Sequence, residues 1–537
     1  MKAFFSAIAL SLLILRPALA ATPPKLIVAI LVDQLRYDYL ERFQDQFTTN
    51  GFRLFLDRGV FLTSAHYDYM PTLTGPGHAS FMSGSGPAQH GIIGNEWFDK
   101  KTGKTMYCVQ DSSVTGGGAA SGGAMSPRNF IGSNFADEMR LRFQSKVVGM
   151  SMKDRGAVLP AGKKPAGAYW FEAGTGNFIT STYYKNELPE WVNQFNARKR
   201  AADFIGQTWD RLLDPKIYHF PDDALGEEVL NGEKRPVFPH RVIQSKSGFG
   251  AILPTPFGNQ ILAEFARAAI EGEHLGESAQ PDLLAISFSS PDYCGHAFGP
   301  YSQEIQDMVL RLDRQLEEFF HYLDGRIGLS NISMVLTADH GVAPTAEFAA
   351  TQGLEGGRVN LSTFATNLVA KLKAKFGPGE YLLANKIFDG QLYFNHTFLE
   401  SSKLSPAQIA PFIRDVALSS GMFQAAYSRD QLLEGRAPGH FGKLVIEGYN
   451  PERSGDMVLV LKPYLMQGSG STGTTHGLPY SYDTHVPVLF YGAAFRKGRY
   501  ADPFNITDIV PTLAATLHMD VPAQSVGRPL VKIVADP

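Results

Sequence analysis

Four short runs of this chain are apolar almost from end to end, and they dictate what it can fold into. They are residues 25–32 (KLIVAILV), 282–289 (DLLAISFS), 332–337 (ISMVLT) and 486–492 (VPVLFYG). A strand with one wet face alternates apolar and polar residues, whereas a strand without alternation is covered on both faces, as in a parallel sheet under helices. Residues 146–152 (KVVGMSM) form a fifth, weaker run. Helical patterns separate these runs, at 129–143, 256–271, 301–323 and 507–517. The alternation predicts an α/β fold, a doubly wound and mostly parallel central sheet sandwiched by helices.

Length then has to be explained. The chain has 537 residues, enough for three to four units of about 150 residues or for one large α/β domain carrying insertions. Residues 345–472 hold helix and strand patterns of their own, such as 404–419 and 456–461, and interrupt the rhythm. We read 345–472 and about 157–250 as insertions crowning a single catalytic domain over 21–537. The glycine-rich tract 115–124 (TGGGAASGGA) lacks the Lys-Ser/Thr ending of a phosphate loop and reads as a mobile surface loop.

Residues 1–20 read as a signal peptide. Lys2 precedes an apolar stretch that ends at Arg16-Pro17, and Ala18-Leu19-Ala20 has the small-x-small cleavage pattern. A spanning helix needs about 20 apolar residues, more than this run supplies. No other segment is long and apolar enough to span a bilayer, so a periplasmic or secreted protein is expected. The formal charge of −3 becomes −5 when Lys2 and Arg16 are removed. Nucleic-acid binders are usually basic, so this balance argues against that class. Two cysteines, Cys108 and Cys294, make neither a disulfide framework nor a four-cysteine zinc site, although an oxidising compartment permits them to pair.

The strand ends carry the chemistry. In open α/β sheets, ligands bind beyond the carboxyl ends of the strands. The first run leads into Asp33, the second into Asp292-Tyr-Cys-Gly-His296 and the third into Asp339-His340, while His476-Gly477 precedes the fourth. One Asp at a strand end is commonly a helix cap, and one His is commonly a structural hydrogen-bonder. Three clusters on one sheet edge are harder to explain that way, and their oxygen and nitrogen donors suit a pair of divalent ions. The tight segment 71–80 (PTLTGPGHAS) enters a helix whose N-terminus favours an anion. A hydroxyl residue there, Thr74, Thr72 or Ser80, is either a cap or a nucleophile.

Several ordered motifs together resemble the alkaline phosphatase superfamily, and within it the bacterial secreted zinc alkaline phosphatases with a threonine nucleophile, the PafA type. These are related to the nucleotide pyrophosphatase/phosphodiesterases. The motifs are VDQLRYDYL at 32–40, PTLTGPGHASFMSG at 71–84, HGIIGNEWFD at 90–99, SMKDRGAVLPAG at 151–162, DYCGHAFGP at 292–300, TADHG at 337–341 and THGLPYSYDTHVPVLFYG at 475–492. The resemblance implies one zinc held by Asp33, Asp339, His340 and the Thr74 oxygen, and a second held by Asp292, His296 and His476. It implies Thr74 as nucleophile, with Asn95, Lys153 and Arg155 binding the phosphoryl oxygens.

The Lys153/Arg155 pair also has a physical argument. A phosphomonoester dianion presents three charged oxygens, which a guanidinium fork and a compact ammonium can meet. Alternate residues of an extended chain point the same way, so the two can converge on one ligand. Read without the resemblance, they are solvated surface charges.

The expected activity is therefore hydrolysis of small phosphate monoesters through a phosphothreonine, with two Zn2+ per chain and a monomer as the working state. The alternative is a phosphodiesterase or nucleotide pyrophosphatase on the same two-metal core. His485 competes with His476 as the last ligand or orients one. His78 and His90 read as scaffold. Trp97, Tyr169 and Trp170 either shape a substrate pocket or simply pack.

Overall fold

The computed structural model describes residues 23–535 apart from 120, 231, 245, 247, 385 and 469, so the leader expected at 1–20 lies outside the described residues. Numbered along the chain, the central sheet comprises β1 (Leu26–Val32), β2 (Val60–Leu62), β3 (Val147–Ser151), β4 (Gly167–Glu172), β5 (Asn177–Ile179), β6 (Asp282–Phe288), β7 (Ile332–Thr337), β8 (Val488–Tyr491) and β9 (Gly498–Tyr500). The spatial order is β9-β2-β8-β7-β1-β6-β3-β4-β5. Every residue of β1, β6 and β7 is buried, as their lack of alternation requires.

β1 runs parallel to both its neighbours, with Leu26 level with Asp282 of β6 and Ile332 of β7. That register brings the three carboxyl ends to one edge. The sheet departs from expectation at 486–492: β8 lies antiparallel to β7 and to β2. An apolar run reports burial on both faces and carries no information about strand direction. A second departure lies at 167–179, expected within the first crown insertion. These residues are β4 and β5, which extend the sheet from β3, parallel and then antiparallel.

The helices that matter here are α1 (Thr74–Ser83), α2 (Phe135–Phe143), α3 (Asp154–Ala161), α4 (Pro256–Glu273), α5 (Ser290–Phe298), α6 (Gln303–Arg326) and α7 (Ile509–Leu517). α1, α2, α3 and α7 pack together as one layer, and α4, α5 and α6 as the other. α6 buries Ile305, Leu312, Leu316 and Leu323, and with them the acidic side chains of Glu304, Asp307 and Asp313.

Above the sheet, residues 357–467 enclose a core of their own. The strands Gln391–Leu392, Phe423–Ser428 and Met457–Leu461 pack with the helices Leu361–Phe376 and Pro406–Ser419. Arg453 ties this crown to the body, donating to the Asn129 carbonyl at 2.6 Å and lying over the Trp97 ring. In the first half of the glycine-rich tract, the Gly117 N–H is bound to the Thr180 carbonyl at 3.0 Å and the Gly118 N–H to the Asn186 carbonyl at 2.9 Å. No helix among the described residues is long and apolar enough to cross a membrane.

Candidate metal centre

The parallel register delivers the acidic residues to a single place. Asp33 follows β1, Asp339 and His340 follow β7, and Asp292 lies in the first turn of α5, just after β6. The donor atoms of Asp33, Asp339 and His340 lie within 4.8 Å of one another, and so do those of Asp292, His340 and His476. His340 belongs to both groups, and its ring stacks on that of His476 with centroids 3.4 Å apart. His296 stands at the rim, Nε2 3.2 Å from Asp292 Oδ1. Asp33 Oδ1 and Asp339 Oδ2 are buried without a hydrogen-bond partner. Such orphaned carboxylate oxygens facing imidazole nitrogens fit divalent ions of the zinc class.

The three histidines share one device. Nδ1 of His296 contacts the Thr474 carbonyl, that of His340 the Gly341 carbonyl and that of His476 the Thr72 carbonyl, at 2.8, 2.9 and 2.8 Å. A carbonyl only accepts, so each Nδ1 carries the proton and each Nε2 offers its lone pair inward. Burial holds His340 down to about 3 and His476 well below its usual range, so both stay in the neutral form that binds metal. Burial, then Asp33, pushes the Asp339 carboxyl far above the ordinary carboxylate range.

Lys153 sits between the two groups. Its Nζ donates to Asp33 Oδ2 at 2.6 Å and to Asp292 Oδ2 at 2.5 Å. Gln34 performs a parallel task, its side-chain amide donating to Asp292 Oδ1 at 2.6 Å and its backbone N–H to Asp339 Oδ1 at 3.1 Å.

Thr74 opens α1. Its hydroxyl makes no helix cap, because the N-cap residue is Leu73 and no side chain caps this end. Thr74 Oγ1 instead lies 3.5 Å from His340 Nε2 and 3.5 Å from Arg155 Nη2. The helix N-terminus adds positive dipole at this point. Close approach is built in at Gly77, where a Cβ would fall 2.4 Å from the Asp339 carbonyl oxygen. His78 braces the helix, contacting the Thr74 carbonyl at 2.8 Å and Ser287 Oγ at 2.7 Å. Asn95 Oδ1 accepts the Gly75 N–H at 2.7 Å, which leaves its amide N–H2 as the donor end.

Lys153 and Arg155 do not lie on one extended chain. Lys153 is the extended N-cap of α3, and Arg155 is already in its first turn. They reach the centre by different routes, Lys153 to Asp33 and Asp292 and Arg155 to Thr74. Tyr107 guides Arg155, accepting from its Nη1 at 3.0 Å while donating to Asp154 at 2.5 Å. Neither Tyr107 nor Gln34 is apparent in the sequence. Tyr107 lies on a hairpin strand, Lys104–Tyr107, outside the motifs, whereas Gln34 sits within the motif at 32–40, beside Asp33.

The remaining candidates fall away from the centre. His485 is stacked between Tyr37 and His66 and contacts the Thr63 carbonyl at 3.1 Å. His90 contacts Ser80 Oγ at 3.1 Å in a buried setting. Trp97, Tyr169 and Trp170 are buried in packing. Cys108 and Cys294 are both free and buried.

With this geometry in view, the comparisons with known proteins are direct. The type I phosphodiesterase / nucleotide pyrophosphatase family pattern matches residues 27–477. The alkaline phosphatase PafA of Elizabethkingia meningoseptica is 38% identical over 96% of this chain and 95% of its own. Its crystal structure superposes with a TM-score of 0.91, covering 96% of this chain and 99% of that one. A Myroides odoratus protein named calcium-transporting ATPase is 38% identical over 95% of each chain. The alkaline phosphatase PhoV of Synechococcus elongatus is 37% identical over 95% of this chain and 93% of its own.

Proposed function

This chain belongs to the type I phosphodiesterase / nucleotide pyrophosphatase family, and from that premise we propose that it is an alkaline phosphatase, a hydrolase of small phosphate monoesters. Near-full-length identity to two alkaline phosphatases supports the monoesterase reading over the diesterase alternative. The name calcium-transporting ATPase, carried by one relative, shares with it only the cleavage of a phosphate bond.

One observation carries the mechanism: Thr74 Oγ1 stands equidistant, at 3.5 Å, from a metal-type histidine and from a guanidinium. Asp33, Asp339 and His340 would hold one divalent ion, with Thr74 completing its site, and Asp292, His296 and His476 a second, zinc in both cases. Bound there, the ions would supply Lewis-acid polarisation and neutralise developing charge.

The chain's own groups do the rest. Arg155 and the Asn95 amide take the equatorial phosphoryl oxygens, and Lys153 adds positive charge beside them. Thr74 Oγ1 attacks phosphorus in line and gives up its proton to water, while the bond to the alcohol oxygen breaks on the opposite side and that oxygen takes a proton from water as the alcohol leaves. Water then cleaves the phosphothreonine, releasing inorganic phosphate with net retention at phosphorus. The sequence at 1–20 supports export, placing the reaction in a periplasm or outside the cell, in a chain acting as a monomer.

The test assays zinc-loaded protein on an aryl monoester and an aryl diester, with Arg155→Ala alongside. The reading expects strong monoester preference that the variant largely removes. Preference for the diester in both proteins would reverse it in favour of the phosphodiesterase.

A further inference from the structure

A cavity of about 360 Å3 borders the centre on its crown side. Its inner end is formed by His476 and by Leu73, the residue before Thr74. Its walls are Leu361, Phe423, Leu461 and Met466 from the crown, and the first three belong to the crown's own buried core. The lining is therefore the end of a packed core and is held in shape. The floor is tied to the nucleophile segment, since Thr72 Oγ1 donates to the Leu478 carbonyl at 2.9 Å and His476 Nδ1 to the Thr72 carbonyl at 2.8 Å.

The opposite wall carries Asp389, whose carboxylate lies so near Gly94 that a Cβ there would fall 2.9 Å from it. Gly94 precedes Asn95. The cavity thus runs from a ligand histidine to the loop that presents a phosphoryl-binding amide. No lysine or arginine lines it among the described residues, so Asp389 is the charged side chain of its wall, while Glu96 and Lys386, of opposite sign, act on it from outside the lining. A substrate portion seated here gains from apolar surface and loses from carrying an anion.

We propose that this cavity receives the alcohol moiety of the monoester, and that the enzyme selects phosphate esters of apolar, uncharged alkyl or aryl alcohols. The inference rests on the phosphomonoesterase reading above. It gives the crown a task separate from phosphoryl transfer, namely choice of the leaving alcohol.

The test is phosphate release by zinc-loaded protein from n-alkyl phosphates, methyl through hexyl. Their alcohols differ little in acidity, so the intrinsic reactivity of the ester stays nearly constant. kcat/KM should rise by about fourfold for each added methylene, since burying one is worth roughly 0.8 kcal/mol. An ester ending in a carboxylate, 6-phosphohexanoic acid, should fall at least about tenfold below hexyl phosphate. Leu465→Glu, which brings a charge to the cavity wall, should shrink the hexyl-to-methyl ratio. A flat series with measurable turnover of methyl phosphate, or equal rates on hexyl and carboxyhexyl esters, overturns the alcohol-pocket inference and leaves the phosphatase reading standing. Absence of turnover on every ester overturns that reading, and the inference with it.

Discussion

The phenol oxygen of Tyr107 stands 3.0 Å from Arg155 Nη1 and donates its own hydrogen to Asp154. One arm of the guanidinium is thereby fixed while the other meets Thr74 Oγ1. Tyr107→Phe should lower kcat/KM on a monoester about tenfold, the worth of a hydrogen bond to a charged group. A diester, with one charged oxygen fewer, should lose about threefold or less. The monoester-to-diester ratio is the readout, and an unchanged ratio would reduce the phenol to packing.

Thr74→Ala should lower monoester turnover by about a thousandfold or more, leaving only what binding and electrostatics provide. Acid quenching of the wild type during turnover should yield a peptide carrying phosphate on Thr74 by mass spectrometry. The same modification on another residue, or retained turnover in the variant, would relocate the nucleophile.

Removing the metals should abolish activity and lower Tm by roughly 5–10 °C, because a ligand present at a thousand times its Kd contributes about 4 kcal/mol to the native state. Re-adding zinc should restore both. Asp33→Asn should show a smaller zinc-dependent rise in Tm, read by calorimetry with and without chelator.

A different prediction concerns Glu227, which is buried near Glu304. Burial first, and Glu304 next, push its carboxyl up from 4.5 to about 10. An unfolded glutamate releases its proton near 4.5, so between those two values the folded state binds more protons and stability falls as pH rises. Glu227→Gln removes the penalty. It should raise Tm relative to wild type at about pH 9 and leave it nearly unchanged at about pH 5. Equal shifts at both pH values would mean that the effect is packing and not titration.

The strands that hold the centre were legible because burial on both faces removes alternation. β1, β6 and β7 emerge within one residue of the apolar runs, and Asp33, Asp292, Asp339 and His340 follow directly from their ends. What stayed hidden has physical reasons. β2 and β9 have three residues each, too few for any period to register. The direction of β8 depends on its connection to β7. Arg155 turned out helical because the chain bends into α3 at Lys153, where no proline or glycine announces a boundary. Tyr107 meets Arg155 across 48 residues of sequence, a contact that only the folded hairpin creates.

The ammonium of Lys153, poised between Asp33 and Asp292, has a consequence for the assembly of the molecule. A cluster of buried carboxylates without countercharge would resist assembly until cations arrived. Here the chain carries its own provisional cation, covalently attached and already in place. The mutual repulsion of Asp33 and Asp292 is thereby offset from within the chain, by a charge that arrives with the backbone itself.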